Sequence, residues 1–186
     1  MAWTAASSPA ALDGGSAIGP SLYRIGDVVT RNAERLAPED RLTLRQFVDG
    51  LPRRFADIAA CGLPDSFVHG DYHPGNLRGE GDSLTVLDWG DCGVGHPLLD
   101  QPAFLGRIRA DAVEVCRRRW HDAWRAVAPG SDPDRASLLL GPVAAARQAV
   151  NFEGFLDNIE PSEHPYHRDD PGERLTVAAT LLRAES

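Results

Sequence analysis

Lysine is absent: all 19 basic residues in the 186-residue sequence are arginine. Any step that demands a lysine ammonium must therefore draw it from outside these residues. Cysteine is scarce and odd in number, Cys61, Cys92 and Cys116, with no C-x-x-C pair. That spacing argues against a disulfide framework and against a zinc site, and it suits a reducing cytoplasm. Long apolar runs are missing too. The richest, Leu138 to Val150, is interrupted by Gly141-Pro142 and Arg147, so no membrane span is expected. Nor does a basic segment lead into an apolar one at the N-terminus, so no secretion signal is expected. Positive charge is outweighed: the formal net charge is -8 and the pI is near 5.2. This balance argues against a nucleic-acid-binding surface, which would normally be basic, and fits a cationic ligand loosely.

What is present is enough for one compact domain, with 42% hydrophobic residues in the chain. Residues 1–20 are rich in Ala, Ser, Gly and Pro without periodicity, the composition of a flexible tail. From Leu44, the positions Phe47, Val48, Leu51, Phe55 and Ile58 predict a helix with one buried face, split at Pro52. Ser66-Phe67-Val68 predicts a short strand. Asn76-Leu77-Arg78 and Leu84 to Leu87 predict a hairpin across the turn-prone Gly79-Glu80-Gly81-Asp82. Further helices are expected over Ala103 to Val127, Arg135 to Ile159 and Glu173 to Arg183. Along the first of these, Val115, Trp120 and Trp124 form the buried side and Arg117-Arg118-Arg119 the wet one. No internal repeat is visible.

Chemistry concentrates in His69-Gly70-Asp71-Tyr72-His73-Pro74-Gly75-Asn76, followed by Asp88-Trp89-Gly90. An acid five positions before an asparagine, then an Asp-x-Gly turn after a strand pair, is the spacing of a phosphoryl-transfer site. There an acid orients the acceptor hydroxyl, while an amide and a carboxylate hold a metal ion. A polar turn followed by a coincidental Asp-Trp-Gly would not place three matching residues in order between strand-like runs. Gly70-Asp71-Tyr72-His73 also contains the G-D-x-H of metallophosphatases, but the downstream G-N-H followed by an acid that such a site requires is missing.

The form H-G-D-x-H-P-G-N with D-W-G-D resembles the aminoglycoside phosphotransferase and choline kinase-like family, which phosphorylates hydroxyls of small molecules. The resemblance implies a mainly helical α+β fold, the C-terminal lobe of a protein-kinase-like architecture, spanning residues 21–186 with a small β-hairpin carrying the metal site. It implies Asp71 as the catalytic acid-base residue, Asn76 and Asp88 as magnesium ligands, His69 and Asp100 as structural supports of the loop, and His73 near the metal face. ATP or another nucleoside triphosphate would be the donor and a small-molecule hydroxyl the acceptor. Gly95-His96-Pro97-Leu98-Leu99-Asp100 resembles the family's G-D-P-x-x-D, with His96 in place of the usual Asp, and a solvent-facing or capping His96 is expected rather than a metal ligand. Glu153, Asp157 and Glu160 recur at helical spacing where relatives meet cationic substrates, although a solvated acidic face is the preferred reading.

The resemblance also defines a gap. A glycine-rich loop and a strand lysine normally cover and neutralise the phosphates, yet only 68 residues precede His69 and none is lysine. The expectation is therefore a lobe whose nucleotide-binding partner is truncated away or supplied by another chain, by a homo-oligomer or by a separate subunit, and which transfers phosphate poorly alone. The alternative is a non-catalytic remnant that binds a ligand or partner.

Overall fold

The structure is a computed structural model that describes residues 18–81 and 83–185. The expected N-terminal tail falls mostly outside these residues. Its last three positions belong to helix α1, Ile18–Arg31. The chain then makes a single 3-10 turn, Ala33–Arg35, and enters α2, Pro38–Ala59. Pro52 does not split α2. Its missing N–H removes one helical bond, but Leu44, Phe47, Leu51 and Ile58 all lie buried on one face and hold the helix on a single axis.

Four short strands follow: β1 Ser66–Val68, β2 Leu77–Glu80, β3 Ser83–Val86 and β4 Gly93–Gly95. They form two antiparallel pairs. β2 and β3 make the hairpin, in register Leu77 to Val86. β1 pairs with β4, bringing Phe67 opposite Val94, a pairing that the sequence reading did not anticipate.

The remaining chain is helical: α3 Gln101–Leu105, α4 Ala110–Val127, α5 Pro133–Leu156, the single turn α6 His164–His167, and α7 Asp170–Ala184. The one helix expected over 103–127 is thus two. The break covers Gly106 to Arg109, where α3 ends on a poor helix former and Arg109 adopts extended backbone before α4. On α4, Trp120 and Trp124 pack against the core as expected. Val115 does not, being 44% exposed, because its side of the helix turns to solvent with Arg118 and Arg119.

The core is built around α5. Its central run Val143, Ala144, Ala145, Ala146, Ala149 and Val150 is buried. Small side chains there let α7 lie close, with Leu175, Ala178 and Ala179 fully buried. α1 packs on α5 through the same core, contributing Ile25, Val28 and Val29. Buried Asn32 ties the end of α1 to Val28 O at 3.0 Å and to Glu153 Oε1 at 2.6 Å. Arg183 on α7 pairs with buried Asp40 on α2. Among the described residues, no helix is long and apolar enough to cross a membrane. The two strand pairs and their loops lie in the middle of the chain, between α2 and α3.

Candidate active site

β1 delivers the loop that begins at His69. Two backbone features fix its path. Gly70 has a φ of +88° and approaches the next segment so closely that a Cβ there would stand 2.1 Å from the Asp91 carbonyl oxygen, which restricts the position to glycine. The buried carboxylate of Asp100, at the start of α3, accepts from the His69 amide at 2.7 Å and the Gly70 amide at 2.9 Å. Charge-assisted bonds to two successive amides hold the loop more firmly than neutral partners would.

His69 is itself buried and works as a bridge. Its Nδ1 accepts from the Asp71 amide at 3.3 Å, which leaves Nε2 to donate to the Leu87 carbonyl at 2.8 Å. One imidazole therefore links the backbone of Asp71 to the strand that leads into Asp88. Tyr72 secures the other side, stacking on Phe104 at 5.2 Å and meeting Trp120 edge-on. Burial, and after it the nearby Asp100 charge, pushes the Tyr72 phenol above its usual range.

Asp71 presents its carboxylate at the surface of this braced loop. Asn76 Nδ2 donates to the Asp71 carbonyl at 3.0 Å and lies 3.4 Å from Oδ2, so the amide nitrogen is spent, while its oxygen has no partner among the described residues. His73 Nδ1 accepts from the Gly75 amide at 3.0 Å, and its Nε2 faces Asp71 Oδ2 at 3.3 Å. A Cβ at Gly75 would stand 2.6 Å from the His73 ring, so a larger residue there would push the imidazole from its place. Among the described residues Asp71 Oδ1 has no hydrogen bond, and Arg107 Nη1 stands 3.8 Å from it.

The segment around Asp88 adjoins Asn76 through the Leu87 N–H, which donates to Asn76 O at 2.8 Å and extends the hairpin by one bond. Asp88 has a φ of +59°, the single positive value on a non-glycine residue among those described. Left-handed backbone costs a non-glycine residue energy and is retained mostly at functional turns. The Asp88 side chain has no protein partner among the described residues. Trp89 donates its indole N–H to Val86 O at 3.0 Å, stacks on Phe67 at 5.5 Å and lies 4.7 Å from the His69 ring. Phe67, Leu84, Leu87, Trp89 and Val94 are all exposed, forming an aromatic and aliphatic shelf beside the loop.

No group of three or more His, Cys, Asp and Glu side chains among the described residues is set to hold a metal. The donors that are present, a free amide oxygen on Asn76 and a free carboxylate on Asp88, are hard oxygen ligands. They suit magnesium, which takes one or two carboxylates and completes its shell with water and phosphate.

The loop thus holds Asp71 next to Asn76, and the adjoining end of the hairpin carries Asp88. Comparison of the sequence with family models finds that the phosphotransferase enzyme family (APH) matches residues 10–139. The chain belongs to that family, whose members act as phosphotransferases on small molecules. No curated protein and no solved structure gives a significant match. The matched span contains the loop, the hairpin, Asp88 and Asp100, and ends within α5.

Other singled-out residues lie elsewhere. α5 ends at Leu156, so Glu153, Asp157 and Glu160 do not share one helical stripe, correcting the spacing argument. Glu153 is turned inward onto Asn32 and Arg31, the latter at 3.4 Å; Asp157 caps the helix and Glu160 lies in the turn beyond. His96 is not solvent-facing: it is 4% exposed, with Nδ1 accepting from the Leu98 amide at 3.3 Å, a cap on the turn before Asp100. Burial lowers its pKa to about 4. Two residues at the site were missed by sequence reasoning, Arg107 and Arg147, the latter donating to Gly70 O at 3.4 Å from the middle of α5. Nothing in the sequence distinguishes them from the other arginines; their place depends on how α3 and α5 pack.

Proposed function

We propose that this chain carries the catalytic half of a magnesium-dependent transfer of the γ-phosphoryl group of ATP to a hydroxyl of a small molecule. The observation that supports it most is the division of labour around Asn76. Its amide nitrogen is committed to Asp71, its oxygen has no partner among the described residues, and its backbone carbonyl accepts from the Leu87 N–H, directly before an Asp88 that is likewise unpartnered among them. In this reading the acceptor hydroxyl binds Asp71 Oδ1 and loses its proton to that carboxylate as the new O–P bond forms and the bond to the departing ADP breaks. Proton acceptance by a positioned side chain typically contributes about 10² to 10⁴ in rate. Asn76 and Asp88 would hold magnesium, which supplies positive charge to the phosphates when bound. His73, with Nε2 directed at Asp71 Oδ2, orients the base.

The phosphate-covering loop and its cation would come from polypeptide outside these residues, since no lysine occurs here. The exposed shelf of Phe67, Trp89 and Val94 beside His69 is the surface on which such a segment would pack. Three free cysteines accord with a reducing compartment.

Calorimetric titration with magnesium and ATP tests the reading. Nucleotide binding should depend on magnesium and be lost in Asp88→Ala while the melting temperature stays near that of the parent. Magnesium-dependent binding that survives Asp88→Ala unchanged would remove the metal assignment.

A further inference from the structure

The free oxygen of the proposed base looks toward positive charge. Arg107 stands in the turn between α3 and α4, with Nη1 3.8 Å from Asp71 Oδ1 and a side chain 53% exposed. At that distance it makes no hydrogen bond, so its donors remain available on the face that an acceptor would occupy. Arg147 approaches the same loop from α5, bonded at 3.4 Å to the Gly70 carbonyl. Among the described residues it has no carboxylate partner, although it is partly buried. A partly buried guanidinium without a counter-charge is costly and favours an anion beside it.

Two of the acids, Glu153 and Asp100, are already engaged and offer nothing to a polycationic acceptor. Glu153 is occupied by Asn32 and Arg31. Asp100 is enclosed by the two loop amides. Asp91 approaches Gly70 through its carbonyl and Cβ, and Asp88 lies across the hairpin base with Asn76.

Resting on the phosphotransferase reading, we infer that the acceptor is a hydroxyl compound bearing an anionic group, a carboxylate or phosphate, which Arg107 and Arg147 receive beside Asp71. Guanidinium forks match such groups bidentately, and they would set the hydroxyl against Oδ1 while the anionic end is held between α3 and α5.

Amide NMR titration of the intact chain at low salt tests this with three probes: D-glycerate, which has hydroxyls and a carboxylate; glycerol, which has hydroxyls alone; and kanamycin, a polycation. Glycerate should shift the Gly70 and Asp71 amides saturably, and glycerol and kanamycin should not. Loss of one partly exposed ion pair corresponds to about fivefold in affinity, so Arg107→Gln and Arg147→Gln should each weaken glycerate by at least about that factor. Arg107→Lys keeps the charge and should retain part of the binding. The inference is overturned if kanamycin rather than glycerate moves these amides, or if glycerate binds Arg107→Gln and Arg147→Gln as well as the parent. Magnesium titrated into the same samples is read at Asn76 and Asp88. Glycerate binding without any magnesium response supports the anion site while removing the phosphotransferase reading, and a magnesium response without glycerate binding does the reverse.

Discussion

The loop of His69 to Asn76 and the segment of Leu84 to Gly90 lie side by side yet are held in opposite ways. In the first, backbone amides are matched by buried side chains: Asp100 takes those of His69 and Gly70, and His69 takes that of Asp71. In the second, Leu84, Leu87 and Trp89 are exposed and Asp88 sits in strained backbone, its side chain without a partner among the described residues. The contrast teaches which half of the chemistry the chain organises unaided. Under the proposed function, the braced half is the one that would carry the base, as electrostatic preorganisation requires. The exposed half is the one that would hold the ion through Asn76 and Asp88.

The largest expected effect strikes the braced side. Gly70→Ala combines left-handed backbone with a Cβ placed 2.1 Å from the Asp91 carbonyl oxygen. Strain and overpacking together should cost about 4 kcal/mol or more, read by chemical denaturation. A variant as stable as the parent would mean that the close approach of these two segments is wrong. Next is Asp100→Ala, which strands two buried amides and removes two charge-assisted bonds at 2.7 and 2.9 Å. A loss of about 3 to 4 kcal/mol is expected, with hydrogen exchange accelerating first at Gly70 and Asp71. If exchange there is unchanged, the loop is braced by something else.

How much of this was legible in the sequence follows from the same contrast. Motif spacing named Asp71, Asn76 and Asp88 and foresaw the hairpin, because turn residues and alternating apolar positions are local signals. Periodicity named α2, α4, α5 and α7 in outline, but not α1, nor that Pro52 would be absorbed within α2 or that α3 and α4 would separate at Gly106. Burial elsewhere on each helix decided those points. The partner of β1 is β4, with Ser66 opposite Gly95 and Val68 opposite Gly93, and short strands carry too little pattern to announce a pairing. Arg107 and Arg147 were invisible because tertiary packing alone brings α3's turn and α5's middle to one loop. Glu153 was misread as part of a stripe for the converse reason: Asn32, far away in sequence, claims it.

A third test uses acid. His96, buried beside the turn that feeds Asp100, has its pKa lowered by burial from 6.5 to about 4. The unfolded chain therefore takes up this proton first as pH falls. The stability tied to a neutral His96 is fully present above about pH 6.5 and is lost progressively toward pH 4, up to about 3 kcal/mol. His96→Asn retains an acceptor for the Leu98 amide and does not titrate, so its stability should fall less steeply over that window. Parallel curves for parent and variant would show that His96 is not the group responsible.

The smallest effect has the opposite sign and bears on the open side. Asp88 holds a φ of +59°, a conformation that glycine adopts without penalty. Its carboxylate has no protein partner among the described residues, so removing it sacrifices no packing and no hydrogen bond. Asp88→Gly should therefore leave stability unchanged or raise it by up to about 1 kcal/mol, although glycine's freer unfolded chain offsets part of the relief. The same change should abolish the response to magnesium. Stability and metal binding moving in opposite directions is the signature of a residue strained for function. If Asp88→Gly instead destabilises the fold by about as much as Asp100→Ala, Asp88 belongs to the braced half, and the division between the two segments does not hold.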